Sequence, residues 1–106
     1  RKMIEFNVPV ALGTDFNPSC WIENMQTIIA LACYQMKMTP AEAIVATTIN
    51  AAHALNRAEE VGSLEVGKKA DILVLDIPNH RFLGYRQGVN LVNKVLKNGK
   101  LVVEIS

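Results

Sequence analysis

The residues most able to do chemistry lie in one short segment, GTDFNPSCW, at positions 13–21. Asp15 comes three residues after Val8–Leu12, a short apolar run of the kind that forms a strand buried on both faces of a parallel sheet. In α/β and barrel enzymes, catalytic side chains follow directly after the carboxyl ends of such strands. The spacing therefore makes Asp15 a candidate catalytic carboxylate.

A second interpretation of the same segment is purely structural. Asp15 and Asn17 are residue types that favour turns, because their side chains hydrogen-bond to nearby backbone groups. Ser19 could cap a helix that begins at Trp21. The local spacing alone leaves both interpretations of Asp15 open.

The chain supplies few partners for such a carboxylate. His53 and His80 form no H-x-H or H-x-x-x-H pair, whereas a metal site needs three or four convergent ligands. Cys20 and Cys33 lack C-x-x-C spacing and stand at opposite ends of one predicted helix, too far apart for a disulfide. We therefore expect free thiols in a reducing cytoplasm and no complete active site within this chain.

Composition narrows the classes of function. Among 106 residues, 11 are basic and 10 acidic, and no basic stripe alternates with aromatic residues, so no nucleic-acid partner is expected. The apolar runs are shorter than the ~20 residues of a membrane span, so no membrane partner is expected either. Arg1-Lys2 precede Met3 and strand-like sequence without a signal peptide, so we expect a segment of a longer protein.

The first half of the chain predicts helices after the apolar run. Their expected bounds are Trp21–Met36, Pro40–Thr47 and Asn50–Leu55. Thr39 and Glu42 have the spacing of a capping box, with Pro40 at the favoured first helical position. Asn50 is the expected cap of the third helix, and Asn56 is expected to end it in a left-handed conformation.

The second half predicts strands and turns. The expected elements are a turn at Leu64–Lys68, a strand at Ala70–Asp76, a loop at Pro78–Gly88 and a hairpin of Asn93–Lys97 with Lys100–Glu104. Asn98-Gly99 at the hairpin turn is the strongest short-range hairpin signal and places Leu96 opposite Leu101. The fold class is therefore α/β in its first part and all-β in its second.

The order of the motifs resembles the C-terminal quarter of the metal-dependent amidohydrolases. The segments that carry this resemblance are VALGTDFNP at 10–18, TPAEA at 39–43, TINAA at 48–52, GSLEVGK at 62–68, ADI at 70–72 and V-x-x-NGK at 95–100. The DFNP segment, together with LAC, MKMTPAEA and TINAAHAL, is similar to the imidazolonepropionase family. That resemblance implies a hydrolase of histidine degradation that opens the cyclic amide of 4-imidazolone-5-propanoate to N-formimidoyl-glutamate.

The resemblance also implies a larger fold, of which this chain forms only a part. Residues 1–61 would be the last strand and C-terminal helices of a (β/α)8 barrel, the catalytic domain. Residues 62–106 would be strands of a small composite β-sandwich domain. Because a barrel needs about eight strands, an apolar face should be exposed here and covered by the remaining enzyme or by oligomerisation, a homodimer being expected.

The resemblance also assigns functional roles to residues of the acidic loop, the segment at positions 13–21. Asp15 would ligate a Zn or Fe ion and accept a proton from the water bound to it. Asn17, Ser19 and Cys20 would bind the small-molecule substrate or product. Ser19 stands where glycine is common, and Cys20 stands where a small hydroxyl residue is common, so a contact by the Cys20 thiol would be weak. The other metal ligands would come from earlier strands, and the isolated chain should be inactive and free of tightly bound metal.

Two alternatives remain beside this assignment. One is another amidohydrolase, such as a deaminase of a purine-like ring. The other is a non-catalytic scaffold or oligomerisation module. Asn17 and the loop after it are the features that discriminate between the two hydrolases.

Overall fold

The computed structural model describes residues 1–85 and 88–105 of the chain. The helices are α1 (Lys2–Glu5), α2 (Met25–Gln35), α3 (Pro40–Thr47) and α4 (Ile49–Ala54), and the strands are β1 (Ile72–Leu75), β2 (Val92–Lys97) and β3 (Lys100–Glu104), with a 3₁₀ helix at His80–Gly84. The α/β organisation is confirmed, with helices first and a three-stranded antiparallel sheet after them. Over the described ranges, no helix is long and apolar enough to cross a membrane.

Helix α3 has the bounds and the capping box that the sequence predicts. The Thr39 hydroxyl accepts a hydrogen bond from the Glu42 N–H at 3.2 Å, and the Glu42 carboxylate accepts one from the Thr39 N–H at 2.9 Å. The Arg1 guanidinium also binds this carboxylate through two hydrogen bonds, of 2.7 and 3.0 Å. The Arg1 hydrogen bond, followed by that from Thr39, lowers the pKa of Glu42 to about 2.

Helix α2 begins four residues later than predicted. Asn24 is its N-cap, with its side chain accepting a hydrogen bond from the Gln26 N–H at 2.8 Å. The predicted cap by Ser19 is therefore wrong, because the chain turns at Ser19 and runs on to Asn24 before the helix starts. Asn24 takes the capping role instead, since Asn is among the residues most favoured at an N-cap.

Helix α4 is present, but the predicted role of Asn50 is wrong. The N-cap is Thr48, which makes no side-chain capping hydrogen bond. The Asn50 amide instead donates to the carbonyl oxygen of Val10 at 2.9 Å, forty residues away in sequence. Asn56, after the helix, has a φ of 58°, so the predicted left-handed conformation is confirmed.

The start of the chain differs from the expectation of strand-like sequence. Lys2–Glu5 is helical, and the predicted strand Val8–Leu12 has no regular secondary structure and pairs with no strand among the described residues. A parallel strand needs neighbouring strands for its backbone groups, and the described part of this chain supplies none for this segment. Helices satisfy some of those groups instead, since the Leu12 N–H donates to the Ala46 carbonyl at 3.0 Å.

The hairpin forms as predicted, with Leu96 opposite Leu101. Asn98 and Gly99 have φ values of 51° and 78°, the positive values that a two-residue type I′ turn requires. Strand β1 is shorter than the predicted 70–76 and lies against β2. The predicted loop at 78–88 contains the 3₁₀ helix, and its residues 86 and 87 lie outside the described part.

Asp71 ties the hairpin turn to the chain that precedes β1. Its carboxylate accepts hydrogen bonds from the Lys97 ammonium at 2.7 Å and from the Asn98 N–H at 3.0 Å. The Lys97 contact is the main cause of a lowered pKa for Asp71. The Gly99 N–H also donates to the Ala70 carbonyl at 2.9 Å, so both residues of the turn are hydrogen-bonded to the segment before β1.

The apolar core joins the helices to the segment around the 3₁₀ helix. Its buried members are Ile29, Ala32, Met38, Ala43, Ala46, Leu83 and Leu91. Large apolar side chains nevertheless remain outside it, with Phe6, Trp21 and Leu55 exposed by 79%, 73% and 74%. The expected exposure of apolar surface is confirmed, because many large apolar side chains of the described residues are exposed.

Candidate functional site

The acidic loop between Val8–Leu12 and α2 is closed by its own hydrogen bonds. Asn17 and Cys20 exchange two backbone hydrogen bonds, each of 2.9 Å, so the chain reverses direction between them. The Trp21 indole donates to the Pro18 carbonyl at 3.1 Å, and its ring meets Phe16 edge to face at a centroid distance of 5.5 Å. These contacts within the loop give it a defined shape.

Asp15 lies at the beginning of this loop in a left-handed conformation with a φ of 53°. Non-glycine residues seldom adopt that conformation, although Asp and Asn tolerate it better than most. The Asp15 side chain is exposed to solvent. A carboxylate presented in this way is available to a metal ion, a substrate or a proton.

Asn17 connects Asp15 to the rest of the loop through both ends of its side-chain amide. The amide nitrogen donates to the Asp15 carbonyl oxygen at 2.6 Å, and the amide oxygen accepts from the Ser19 N–H at 2.8 Å. These partners fix the orientation of the amide, because a carbonyl can only accept and an N–H can only donate. The structure therefore contains the turn that the sequence suggested, with Asp15 displayed by it.

The other two predicted binding residues differ in exposure. Ser19 is exposed on the outside of the turn. Cys20 is partly buried, and its thiol donates to the Thr14 carbonyl at 3.8 Å, toward the base of the loop. The four predicted site residues are thus brought together in one loop, but the thiol of Cys20 is directed at the protein's own backbone.

The remaining titratable candidates stand on other elements. His53 is on α4 and His80 begins the 3₁₀ helix, both with exposed side chains. Cys33 is on α2, where burial raises the pKa of its thiol. Both cysteines are free thiols, as predicted.

Asp15 fits one position in a metal site rather than a whole site. Carboxylate oxygen is an accepted ligand for zinc and for iron. However, within residues 1–85 and 88–105 no group of three or more His, Cys, Asp or Glu side chains is placed to hold a metal ion. Any ion bound by Asp15 therefore needs ligands from outside the described part of this chain.

Two open cavities of about 320 Å³ each lie elsewhere on the molecule. One lies between the segment Val8–Leu12 and α3 and is lined mainly by apolar side chains such as Val8, Val10 and Val45. The second includes Cys33, Arg81 and Tyr85. Neither cavity is lined by a residue of the acidic loop, so a substrate pocket at Asp15 would need walls that these two cavities do not provide.

Two contacts hold the loop in place, and the sequence indicates only one of them. That one is the Asn17 hydrogen bond to the Asp15 carbonyl, because Asp and Asn favour turns through side-chain hydrogen bonds to nearby backbone groups. The other is the Asn50 hydrogen bond to Val10, which holds the segment leading to Asp15. No local pattern could have indicated that second contact, because it joins residues far apart in sequence.

Comparison with known proteins gives consistent results along the chain. Residues 1–102 match the amidohydrolase family. Among curated relatives, the imidazolonepropionase of Alkaliphilus oremlandii is 58% identical over 105 residues, which are 98% of this chain and 25% of that protein. The imidazolonepropionase of Alkaliphilus metalliredigens is 55% identical over the same share of each chain. The chain thus spans about a quarter of the length of these relatives.

Solved structures resemble the fold over nearly the whole chain. An amidohydrolase from Thermotoga maritima superposes with a TM-score of 0.76 at 24% identity, covering 98% of this chain and 25% of that one. The guanine deaminase of E. coli gives a TM-score of 0.74 at 22% identity, covering 99% of this chain and 30% of that one. At these identities, the likeness establishes a shared fold and not a shared substrate.

Proposed function

The chain belongs to the amidohydrolase family, and from that premise we propose that it is the C-terminal part of an imidazolonepropionase. The longer protein would hydrolyse the cyclic amide C–N bond of 4-imidazolone-5-propanoate and release N-formimidoyl-glutamate. The observation that carries this proposal is the 58% identity to an imidazolonepropionase across 98% of the chain. The likeness to guanine deaminase does not support the alternative, because at 22% identity it shows the fold alone.

We propose that residues 1–61 complete the barrel domain and that residues 62–106 belong to a β-sandwich domain. The segment Val8–Leu12 supports the first part, because it is apolar, unpaired within the described residues and followed by the acidic loop. The sheet of β1, β2 and β3 supports the second part, because apolar side chains lie on β3 in exposed positions. Exposed apolar side chains on a sheet are expected where a second sheet packs.

Asp15 would be the metal ligand and proton acceptor of the site. In the longer enzyme, Asp15 would be one ligand of a zinc or iron ion, whose chemistry when bound would be to activate water for hydrolysis of the amide. The exposed Asp15 carboxylate can accept a proton from that water while it holds the ion. Its position after the apolar segment Val8–Leu12, on a loop closed by its own hydrogen bonds, supports this assignment.

Asn17, Ser19 and Cys20 would line the substrate-binding side of the same loop. The Ser19 side chain is exposed and free to reach a ligand. Cys20 contributes less through its side chain, because its thiol is directed at the Thr14 carbonyl. We expect its contribution to come from the shape of the turn.

The free thiols fit an enzyme of the reducing cytoplasm, and the exposed apolar surface fits a homodimer of the longer chain. This segment by itself is expected to be inactive.

The test is a substrate comparison with the longer protein, purified with its metal. Consumption of 4-imidazolone-5-propanoate and deamination of guanine are measured side by side, with the 106-residue chain as the control. The proposal expects turnover of the imidazolone only, and no turnover by the control. Deamination of guanine without imidazolone turnover would overturn the assigned substrate, and the absence of both activities would favour a non-catalytic module.

A further inference from the structure

Gln26 joins the start of helix α2 to the start of strand β2. Its side-chain amide nitrogen donates to the Asn90 side-chain oxygen at 3.0 Å, and its amide oxygen accepts from the Leu91 N–H at 2.9 Å. These partners lie 64 and 65 residues away in sequence. Gln26 is half-buried, and both the nitrogen and the oxygen of its amide are used in this one long-range contact.

The first turn of α2 depends on this contact more than the rest of the helix does. The buried residues of α2 are Ile29, Ala30 and Ala32, so packing against the core begins after the first turn. In that turn, the Gln26 N–H is bound by the Asn24 side chain at 2.8 Å, and the Gln26 side chain reaches the second half of the chain. The same residue therefore carries both the local cap and the distant contact.

The partners of Gln26 are themselves firmly held. Leu91 is buried in the apolar core, and the Asn90 side-chain oxygen also accepts from the Val92 N–H at 3.1 Å. Strand β2 begins at Val92 and is the central strand of the sheet, hydrogen-bonded to β1 on one side and to β3 on the other. The first turn of α2 is therefore tied to one of the best-supported points of the sheet.

The acidic loop comes directly before this anchored turn. It ends at Trp21, three residues before the cap Asn24. At its other end, the segment that leads into the loop is held by the Asn50 hydrogen bond to Val10. The internal hydrogen bonds of the loop fix its shape, whereas the contacts beyond its two ends fix where the loop lies on the molecule.

We propose that Gln26 is a positioning residue, which holds the acidic loop in place by tying the first turn of α2 to Asn90 and Leu91. It acts through the loop that displays Asp15 and Asn17, and it contacts neither metal nor substrate itself. The residues that we place in the β-sandwich domain thereby help to position the site on the barrel domain. The inference rests on the proposed function, because it assumes that the acidic loop carries the site of the longer enzyme.

Two substitutions remove this contact from its two sides in the longer protein. Gln26→Met keeps the length and the helix-forming tendency of the side chain but loses both hydrogen bonds. Asn90→Ala removes one of them and leaves the Leu91 N–H able to bind Gln26. Because both substitutions act on one contact, their effects should not add in the double variant.

The matched control lies on the same helix. Gln35 is the last residue of α2, and its side chain is exposed. Gln35→Met makes the same chemical change in the same helix but leaves the contact at the first turn intact. It therefore separates the loss of the anchor from the loss of a glutamine.

The experiment compares amide hydrogen exchange of the longer apoprotein in two segments, residues 13–24 with the acidic loop and residues 92–104 with the hairpin. Zinc retention during dialysis against a graded chelator and kcat for 4-imidazolone-5-propanoate are measured on the same variants. In Gln26→Met, exchange of residues 13–24 should become about 3- to 30-fold faster, the factor that corresponds to the loss of one or two neutral hydrogen bonds. Zinc retention and kcat should fall by a similar factor, whereas the hairpin and the Gln35→Met variant should keep the wild-type values.

Four results would overturn the proposal. Unchanged exchange at residues 13–24 would mean that Gln26 does not hold the loop. Faster exchange in both segments would make the role one of general stability. Faster exchange of the loop with unchanged zinc retention and kcat would mean that the site does not depend on the anchor. Additive effects in the double variant would assign Gln26 and Asn90 to separate roles.

Exchange and zinc retention are measured without substrate. They therefore test the positioning role even if the substrate proposed above is wrong, and a failure of the substrate assignment alone would appear only in kcat.

Discussion

At the scale of single residues, Asp15 has the features of both interpretations that the sequence left open, a turn residue and a candidate catalytic carboxylate. Its turn is real, with a φ of 53° and the Asn17 amide bonded to its carbonyl. The same turn leaves the carboxylate exposed beyond an apolar segment. A turn residue and a catalytic residue are therefore compatible at this position, since the backbone of the turn is what presents the side chain.

Asp15→Asn in the longer enzyme should abolish turnover while the protein still folds. Asn tolerates the left-handed conformation as well as Asp does, but it has no charge to hold a metal ion and accepts no proton. We expect kcat to fall by about 10²- to 10⁴-fold or more, with little change in the thermal unfolding midpoint. Steady-state kinetics and thermal denaturation measure the two quantities.

The control for this substitution is Asp76→Asn, which removes an exposed carboxylate after β1, away from the acidic loop. It should leave kcat within twofold of the wild type. Turnover by Asp15→Asn at the wild-type rate would mean that Asp15 has only a role in the turn.

At the scale of elements, the 3₁₀ helix is fixed by close packing against the helical part. Leu83 is buried in the core shared with α2 and α3. A Cβ atom on Gly84 would lie 2.6 Å from the Cys33 sulfur and 3.3 Å from the Pro40 ring. Because Gly84 has no side chain, the 3₁₀ helix can pack closely against α2 and α3.

Gly84→Ala should lower the free energy of unfolding by about 1–3 kcal/mol, because overpacking displaces side chains or backbone in a close-packed region. The reduced freedom of alanine in the unfolded chain would offset only part of this. Urea denaturation followed by circular dichroism gives the change. Gly13→Ala is the control, since nothing lies within 4 Å of its added methyl group; an equal loss in both variants would contradict the packing argument.

The Arg1–Glu42 contact at the start of helix α3 should make the free energy of unfolding depend on pH in acidic solution. The Arg1 hydrogen bond lowers the pKa of Glu42 from 4.5 to about 2. A lowered pKa in the folded state means that the contribution is complete above pH 4.5 and is lost as the pH falls toward 2. Glu42→Gln keeps an oxygen for the capping box but removes the charge, so the free energy of unfolding should fall less steeply between pH 4.5 and 2.

Urea denaturation at a series of pH values measures that slope. The slope should not vanish, because Glu60, Glu65 and Asp71 also have lowered pKa values. Arg1→Gln should flatten the slope in the same way. A slope unchanged in both variants would show that the ion pair contributes nothing to acid stability.

At the scale of the whole molecule, the chain exposes surfaces that a complete domain would cover. All residues of β3 are exposed, and Leu101, Val102 and Val103 are exposed by 51%, 57% and 44%. An apolar strand at the edge of a sheet is prone to pair with another chain. The curated relatives, of which this chain spans about a quarter, contain the length of chain that could cover such surfaces.

Val102→Lys should therefore reduce self-association of the 106-residue chain. A charge on an edge strand disfavours pairing with a second strand. Sedimentation velocity over a range of concentrations should show a shift toward monomer. Val66→Lys, with the same substitution in an exposed turn outside the sheet, should leave the distribution unchanged; equal effects of both would mean that net charge, and not the strand edge, controls association.

The sequence by itself was sufficient to predict the elements whose stabilising contacts join residues close together in the chain. The Thr39–Glu42 capping box, the left-handed Asn56 and the hairpin with Leu96 opposite Leu101 all form as predicted. In each case, the interacting groups lie within a few residues of a turn or helix end. The ordered motifs were likewise sufficient for the family, because they are properties of the sequence itself.

Only the tertiary structure decided the features that join distant parts of the chain. Val8–Leu12 has the composition of a buried strand, but it pairs with no strand among the described residues and binds Asn50 and Ala46 instead. Asn50 is a good cap by residue type, yet a contact forty residues away takes its amide. Composition determines what a segment favours, whereas hydrogen-bond partners and buried surface come from other segments, and those contacts determine which preference is realised.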